Sequence, residues 1–261
     1  MSALRAAVIR TAGTNCDAET VHALRRAGAE VELVHLHALM RAPERLADHR
    51  IVVFPGGFTY GDDIASGVVF GVEMRDRVLP ELRRRIADGA LVLGICNGFQ
   101  ILVRAGLLPD SDGTGEQQAS LQPNVSGRFE CRWVRLEATT DRSVFLAAGQ
   151  VIECPVAHME GRFVCGDALR GRLAENGQLA LRYTRPDGGE ADYPWNPNGS
   201  RLGIAGVCDP TGRVLGLMPH PERNVEPWHH PHWTRGTAGG AGLAVFTNAV
   251  AAARGANRLK E

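Results

Sequence analysis

The string Gly94-Ile95-Cys96-Asn97-Gly98-Phe99-Gln100 sets a cysteine between two glycines, where the apolar run Leu91–Ile95 gives way to an apolar helical segment, Phe99–Ala105. A sharp strand-to-helix turn needs that room for strained backbone, and it leaves the side chain standing above the C-terminal edge of a sheet. The N-terminus of the following helix carries partial positive charge, which stabilises negative charge on the sulfur. Packing as a small apolar residue is the ordinary fate of a cysteine, but here it would make both glycines a coincidence. A thiol nucleophile needs a base, and nine histidines compete. His220 stands out because Met218-Pro219-His220-Pro221-Glu222-Arg223 follows the last apolar strand, at the sheet edge where Cys96 also points. Pro221 disfavours helix at His220, and residues two apart in extended chain share a side, so Glu222 reaches the imidazole and orients it. Acyl transfer also needs donors for an oxyanion. The N–H of Asn97, next after the cysteine, is one, and the turn Pro55-Gly56-Gly57 supplies the second through Gly57. Two glycines would also let the Gly57 peptide reorient at low conformational cost.

Other candidates read as structural. Cys154, Cys165 and Cys208 lie in or beside apolar segments and Cys131 belongs to a strand, so all four are expected to pack. His229, His230 and His232 fall in a Pro/Trp-rich loop without the i, i+4 register of a helical metal site. The turn Thr11–Asp17 opens a helix, but Asp17 opposes an anion there, so a helix-capping role is expected rather than phosphate binding.

These residues need a scaffold that brings several strand ends together. Leu4–Arg10, Glu30–Leu36, Ile51–Phe54 and Leu91–Ile95 read as strands, with helices at Asp17–Ala27 and Val68–Asp88 and a Gly-rich loop over Pro55–Gly67. That alternation predicts an α/β fold, a parallel sheet covered by helices on both faces. The second half reads as a smaller β-rich excursion: strands at Cys131–Glu137 and Leu179–Tyr183, and a hairpin of Ile204–Cys208 with Arg213–Met218. A closing helix follows at Gly242–Arg254. One domain over 1–261 fits the length. Zero formal net charge gives no reason to expect nucleic acid or an anionic membrane as partner. Neither a signal peptide nor a spanning run is apparent, so a cytoplasmic location is expected. Lys260 is the only lysine, which excludes a Walker-type phosphate loop and a Schiff base in a pocket. No cofactor is expected on this chain.

GICNGFQ together with MPHPER resembles the class I, or triad, glutamine amidotransferases. GTNCD, FPGGFTYGDDIASG, SGRFECRWV, PVAHMEGRF and YPWNPNGS narrow the resemblance, over nearly the whole chain, to the glutaminase subunits of phosphoribosylformylglycinamidine synthase. The resemblance implies a flavodoxin-like fold, with Cys96, His220 and Glu222 as nucleophile, base and acid, Gly57 in the oxyanion turn and Gln100 bordering bound glutamine. It further implies that this chain supplies ammonia to an ATP-binding synthetase subunit, assembled with a small third subunit, and that ATP and Mg²⁺ bind on the synthetase. Met159 stands where the family pattern has glycine, and the WHHPHW loop is longer than the pattern. Rival readings are a glutaminase serving another synthetase, a thiol α/β-hydrolase and a silent interaction protein. SGRFECRWV and YPWNPNGS argue against the first, the His-Pro-Glu adjacency against the second, and the complete triad against the third.

Overall fold

The computed structural model describes residues 3–255, so Lys260 lies outside the described residues. Among the described residues, eleven strands run β1 (Arg5–Arg10), β2 (Glu30–His35), β3 (Ile51–Phe54), β4 (Leu91–Ile95), β5 (Ser120–Gln122), β6 (Glu130–Ala138), β7 (Val151–His158), β8 (Arg162–Val164), β9 (Leu179–Thr184), β10 (Ile204–Cys208) and β11 (Val214–Leu217). Seven α-helices are interleaved: α1 (Asp17–Arg26), α2 (Leu36–Arg41), α3 (Val68–Arg75), α4 (Val78–Ala87), α5 (Asn97–Arg104), α6 (Asp167–Glu175) and α7 (Leu243–Ala253).

Nine strands form one sheet in the order β2-β1-β3-β4-β11-β10-β9-β6-β7, and β5 pairs with β8 separately. From β2 to β11 every pairing is parallel, which is the flavodoxin-like order; from β11 to β7 every pairing is antiparallel. The expected β-rich excursion therefore extends the same sheet. Every residue of β3, β4 and β11 is buried, because helices cover both faces of the centre. Helices α1 and α7 touch each other on one side, while α3, α4 and α5 form the other group.

Three expectations need correction. The single helix over Val68–Asp88 is two, because Pro80 has no N–H for the carbonyl of Asp76 and its ring clashes there. Strand β7 and helix α6 fell outside the sequence reading: β7 alternates exposed and buried residues around Pro155, and α6 carries Gly171. Cys131 is exposed rather than packed, although Cys154 and Cys208 are buried as expected. The hairpin of β10 and β11 is antiparallel, as its turn residues demand.

Candidate active site

In the parallel half, the chain leaves β1 and β3 toward opposite sides of the sheet, so their C-terminal ends open a crevice where the strand order reverses. Four segments leave strands at this edge: Thr11–Cys16 after β1, Pro55–Gly57 after β3, Cys96 after β4 and His220 after β11.

Cys96 sits at φ 52° and ψ −108°, a conformation disfavoured for a residue with a side chain, directly before α5. The surrounding structure enforces it. The Cys96 N–H donates to Leu217 O at 2.8 Å, and its carbonyl accepts from Gln100 N–H at 3.1 Å. A Cβ on Gly98 would lie 1.8 Å from the Phe54 carbonyl oxygen, and one on Gly94 would lie 2.7 Å from the carbonyl of Gly98. Both glycines are therefore required for α5 to press against the sheet, as the sequence spacing implied. Cys96 is 5% exposed, and its Sγ lies 3.7 Å from Ala157 O on β7.

His220 is buried, and its N–H is held by Pro155 O at 2.8 Å. Its Nδ1 lies 2.7 Å from Glu222 Oε1, so Nδ1 carries the proton and Nε2 is left with no hydrogen-bond partner among the described residues. Glu222 arrives by a route other than the extended chain expected. Pro221–Arg223 forms one 3-10 turn, and the turn swings the carboxylate back beneath the ring. Burial favours the neutral imidazole, yet the Glu222 carboxylate and then the Cys96 sulfur outweigh it, so the His220 pKa lies well above its ordinary value. His158, the last residue of β7, goes the other way: burial first and His220 second push its pKa down to about 4, and its Nδ1 lies 3.1 Å from Asn124 Oδ1. Only one of the two buried imidazoles is set up to hold a proton at neutral pH.

The Asn97 N–H opens α5 and has no intrahelical acceptor. The Asn97 side chain is tied to Thr59 Oγ1 at 2.7 Å and to Gln100 Oε1 at 3.0 Å, and Gln100 Nε2 donates to Glu160 O. Gly57 has φ 152°, and a Cβ there would meet Gly13 O at 2.7 Å and Asn15 N at 2.8 Å, so the position admits only glycine. The peptides on both sides of it are pinned: Gly56 O accepts from Asn15 and Cys16 N–H, and Phe58 N–H donates to Gly13 O at 2.9 Å. The free reorientation expected at Gly57 would break these bonds. Pinning leaves the Gly57 N–H as a fixed donor.

The structure thus gathers Cys96, His220, Glu222, Gly57, Asn97 and Gln100 at one sheet edge. It adds Cys16, which sequence reasoning placed only in a capping turn. Cys16 Sγ, His220 and Glu222 offer three potential metal donors within 4.8 Å. The imidazole Nδ1 is already committed to Glu222, and the sulfur accepts from the Arg223 guanidinium at 3.1 Å. The set is joined by hydrogen bonds, with a cation already in place. Two of the three loop histidines make structural contacts: His230 packs edge-on against Trp133 with Nε2 3.3 Å from Glu153, and His229 Nδ1 accepts from the Val225 N–H, while His232 is exposed. A cavity of about 890 Å³ lies along β9, lined by residues such as Leu181, Asn196 and Leu202, and none of the gathered residues borders it.

The model of the CobB/CobQ-like glutamine amidotransferase domain matches residues 3–251. The chain is 43% identical to phosphoribosylformylglycinamidine synthase subunit PurQ of Dehalococcoides mccartyi, over 97% of this chain and 99% of that one. The Methanococcus maripaludis subunit of the same name is also 43% identical, over 85% of this chain and 83% of the relative. Among solved structures, a chain of PurLQS from Thermotoga maritima superposes with a TM-score of 0.74 at 34% identity, covering 95% of this chain and 98% of that chain. Domain family, full-length relatives and superposition agree: the chain belongs to the CobB/CobQ-like glutamine amidotransferases and, among them, to the PurQ subunits of phosphoribosylformylglycinamidine synthase.

Proposed function

We propose that this chain hydrolyses glutamine to glutamate and ammonia through a thioester on Cys96, and that the ammonia passes to an ATP-dependent synthetase subunit making phosphoribosylformylglycinamidine. Its place in purine biosynthesis follows from its family. The observation that carries the site reading is the strained Cys96, whose sulfur acts on the imidazole of a buried His220 that Glu222 holds at 2.7 Å.

The Cys96 thiolate attacks the side-chain carbonyl carbon of glutamine, and the oxygen that becomes negative is received by the N–H groups of Gly57 and Asn97. Protonated His220 gives the Nε2 proton to the departing nitrogen, which leaves as ammonia, and the C–S bond remains as a thioester. Neutral His220 then takes a proton from water, whose oxygen attacks the thioester. Glutamate departs and the sulfur returns with the imidazolium beside it. Glu222 keeps its charge throughout and stabilises the imidazolium. Gln100, fixed between Asn97 and Glu160, borders the bound glutamine. ATP and Mg²⁺ belong on the synthetase, and a small third subunit completes the assembly. No helix among the described residues is long and apolar enough to cross a membrane, and the working location is the cytoplasm.

Cys96→Ala tests the division of labour. In the assembled complex it should abolish glutamine-dependent synthesis and leave synthesis from added ammonium salt unchanged, because only the ammonia source is lost. Loss of both activities would overturn the reading. Mass spectrometry after treatment with an electrophilic glutamine analogue should place the label on Cys96.

A further inference from the structure

A second thiol touches the catalytic imidazole, and the proposed chemistry leaves it without a task. Cys16 is 1% exposed, the usual setting of a cysteine that packs as a small hydrophobe. Its neighbours do not fit that description. Sγ lies 3.2 Å from Asn15 Oδ1, 3.1 Å from Arg223 Nη2 and 3.8 Å from His220 Nδ1. The sulfur donates to the amide oxygen, accepts from the guanidinium and lies against the edge of the imidazole that Glu222 holds. The same residue also reaches the oxyanion turn, because its N–H donates to Gly56 O at 3.1 Å. Gly56 in turn lies against both groups: a Cβ on it would come within 2.6 Å of His220 Cε1 and 3.2 Å of Cys16 Sγ.

We infer that Cys16 is a positioning residue for the glutaminase reaction, fixing the His220 ring through its sulfur and the Gly57 donor through its backbone, so that base and oxyanion site keep one relative geometry. The inference rests on the assignment of Cys96 and His220 made above. Geometry supplies the reason for a thiol. A C–S bond is longer than a C–O bond, so sulfur fills the gap to Nδ1 that a serine hydroxyl would leave, while still accepting from Arg223. The sulfur also occupies the guanidinium. Arg223 adjoins Glu222 in sequence, and Glu222 Oε2 has no hydrogen-bond partner among the described residues. Without the sulfur, the guanidinium is free to turn toward that carboxylate and draw it from the imidazole.

The test uses the chain assembled with its synthetase and small subunit, and compares Cys16→Ala with Cys16→Ser. Cys16→Ala should lower kcat for glutamine hydrolysis at least about tenfold with KM within about threefold, a fraction of the roughly 10² that a 1 Å misplacement costs. Alkylation of Cys96 by iodoacetamide, located by mass spectrometry, should slow by a similar factor, while synthesis from ammonium salt stays unchanged. Cys16→Ser keeps the acceptor for Arg223 and should fall between wild type and Cys16→Ala. A purely structural role would lower thermal stability without slowing alkylation in the folded fraction, and that result would overturn the inference. So would a Cys16→Ala kcat within twofold of wild type or a raised KM at unchanged kcat. If the alanine variant fails to assemble, wild-type kcat and alkylation rate in Cys16→Ser would overturn it alone. Labelling by the glutamine analogue on Cys16 with Cys96 untouched would sink the nucleophile assignment instead.

Discussion

A buried imidazole normally loses its proton, because burial removes the water that solvates the cation. His220 keeps it because a carboxylate stands 2.7 Å from Nδ1 and the Cys96 sulfur favours the cation as well. The histidine pKa is raised above its unfolded value, so its contribution to stability is fully present below about 6.5 and is lost as pH rises through the folded pKa. Glu222→Gln removes the carboxylate. The difference in Tm between wild type and Glu222→Gln should be largest below about pH 6.5 and should shrink as pH rises through the folded-state pKa of His220. A difference that grows toward alkaline pH would show that the pair does not favour the imidazolium. In activity, Glu222→Gln should be milder than Cys96→Ala, since the acid orients a base but forms no bond; the comparable change in a serine triad costs about 10⁴. Equal inactivity of the two variants, measured as glutamate released, would give the carboxylate a further role.

The elements that hold these residues were legible wherever hydrophobic pattern and local sterics dominate. Strands β3 and β4 are uninterrupted apolar runs buried on both faces, and their bounds match the reading residue for residue. That Cys96, His220, Glu222 and both oxyanion candidates would meet at one sheet edge was legible because glycine spacing and His-Pro-Glu adjacency are local signals. What escaped was set by tertiary contact. Strand β7 has a half-exposed pattern, yet it delivers Ala157 O to the Cys96 sulfur and Pro155 O to the His220 N–H. Cys16 carries no local mark of its closeness to His220, 204 residues away. The break at Pro80 does carry a local mark, a residue without an N–H inside the Val68–Asp88 segment. The closest steric constraint in the elbow is Gly98, whose absent Cβ leaves room for the Phe54 carbonyl. Gly98→Ala should cost more than about 3 kcal/mol, since backbone stands on both sides of the clash. Urea unfolding measures it, and a loss below about 1 kcal/mol would mean that α5 can lift from β3 without consequence.

At the scale of the molecule, the two halves of the sheet divide the work. The parallel half gathers four strand ends at one edge, and the antiparallel half lays the end of β7 across them. Met159 O accepts from Asn124 N–H, Glu160 O accepts from Gln100, and Glu160 Oε2 accepts from Ser66 N–H at 3.3 Å. Met159 needs no positive φ and points outward, 42% exposed, so a side chain fits where the family pattern has glycine. Cys96 is 5% exposed and its sulfur lies 3.7 Å from Ala157 O, so the 157–160 stretch is the segment that glutamine is expected to displace on reaching the sulfur. Hydrolysis without an acceptor wastes glutamine, so opening is best coupled to assembly with the synthetase. The oxyanion turn is an unsuitable switch because both of its peptides are pinned; the 157–160 stretch covers the sulfur directly, and opening it breaks its hydrogen bonds to Asn124, Gln100 and Ser66. If the open form is about one tenth populated in the free chain, a partner that favours it by about 1.4 kcal/mol raises it to about half, and one that favours it by about 2.7 kcal/mol raises it to about nine tenths. The isolated chain is therefore expected to hydrolyse glutamine slowly and to be stimulated up to about tenfold when the synthetase and small subunit are added with their ligands. Ammonia release at saturating glutamine, with and without the partners, measures the effect. Full turnover by the chain alone, unchanged on mixing, would show that the end of β7 does not gate the site and that ammonia production is not coupled to assembly at this edge.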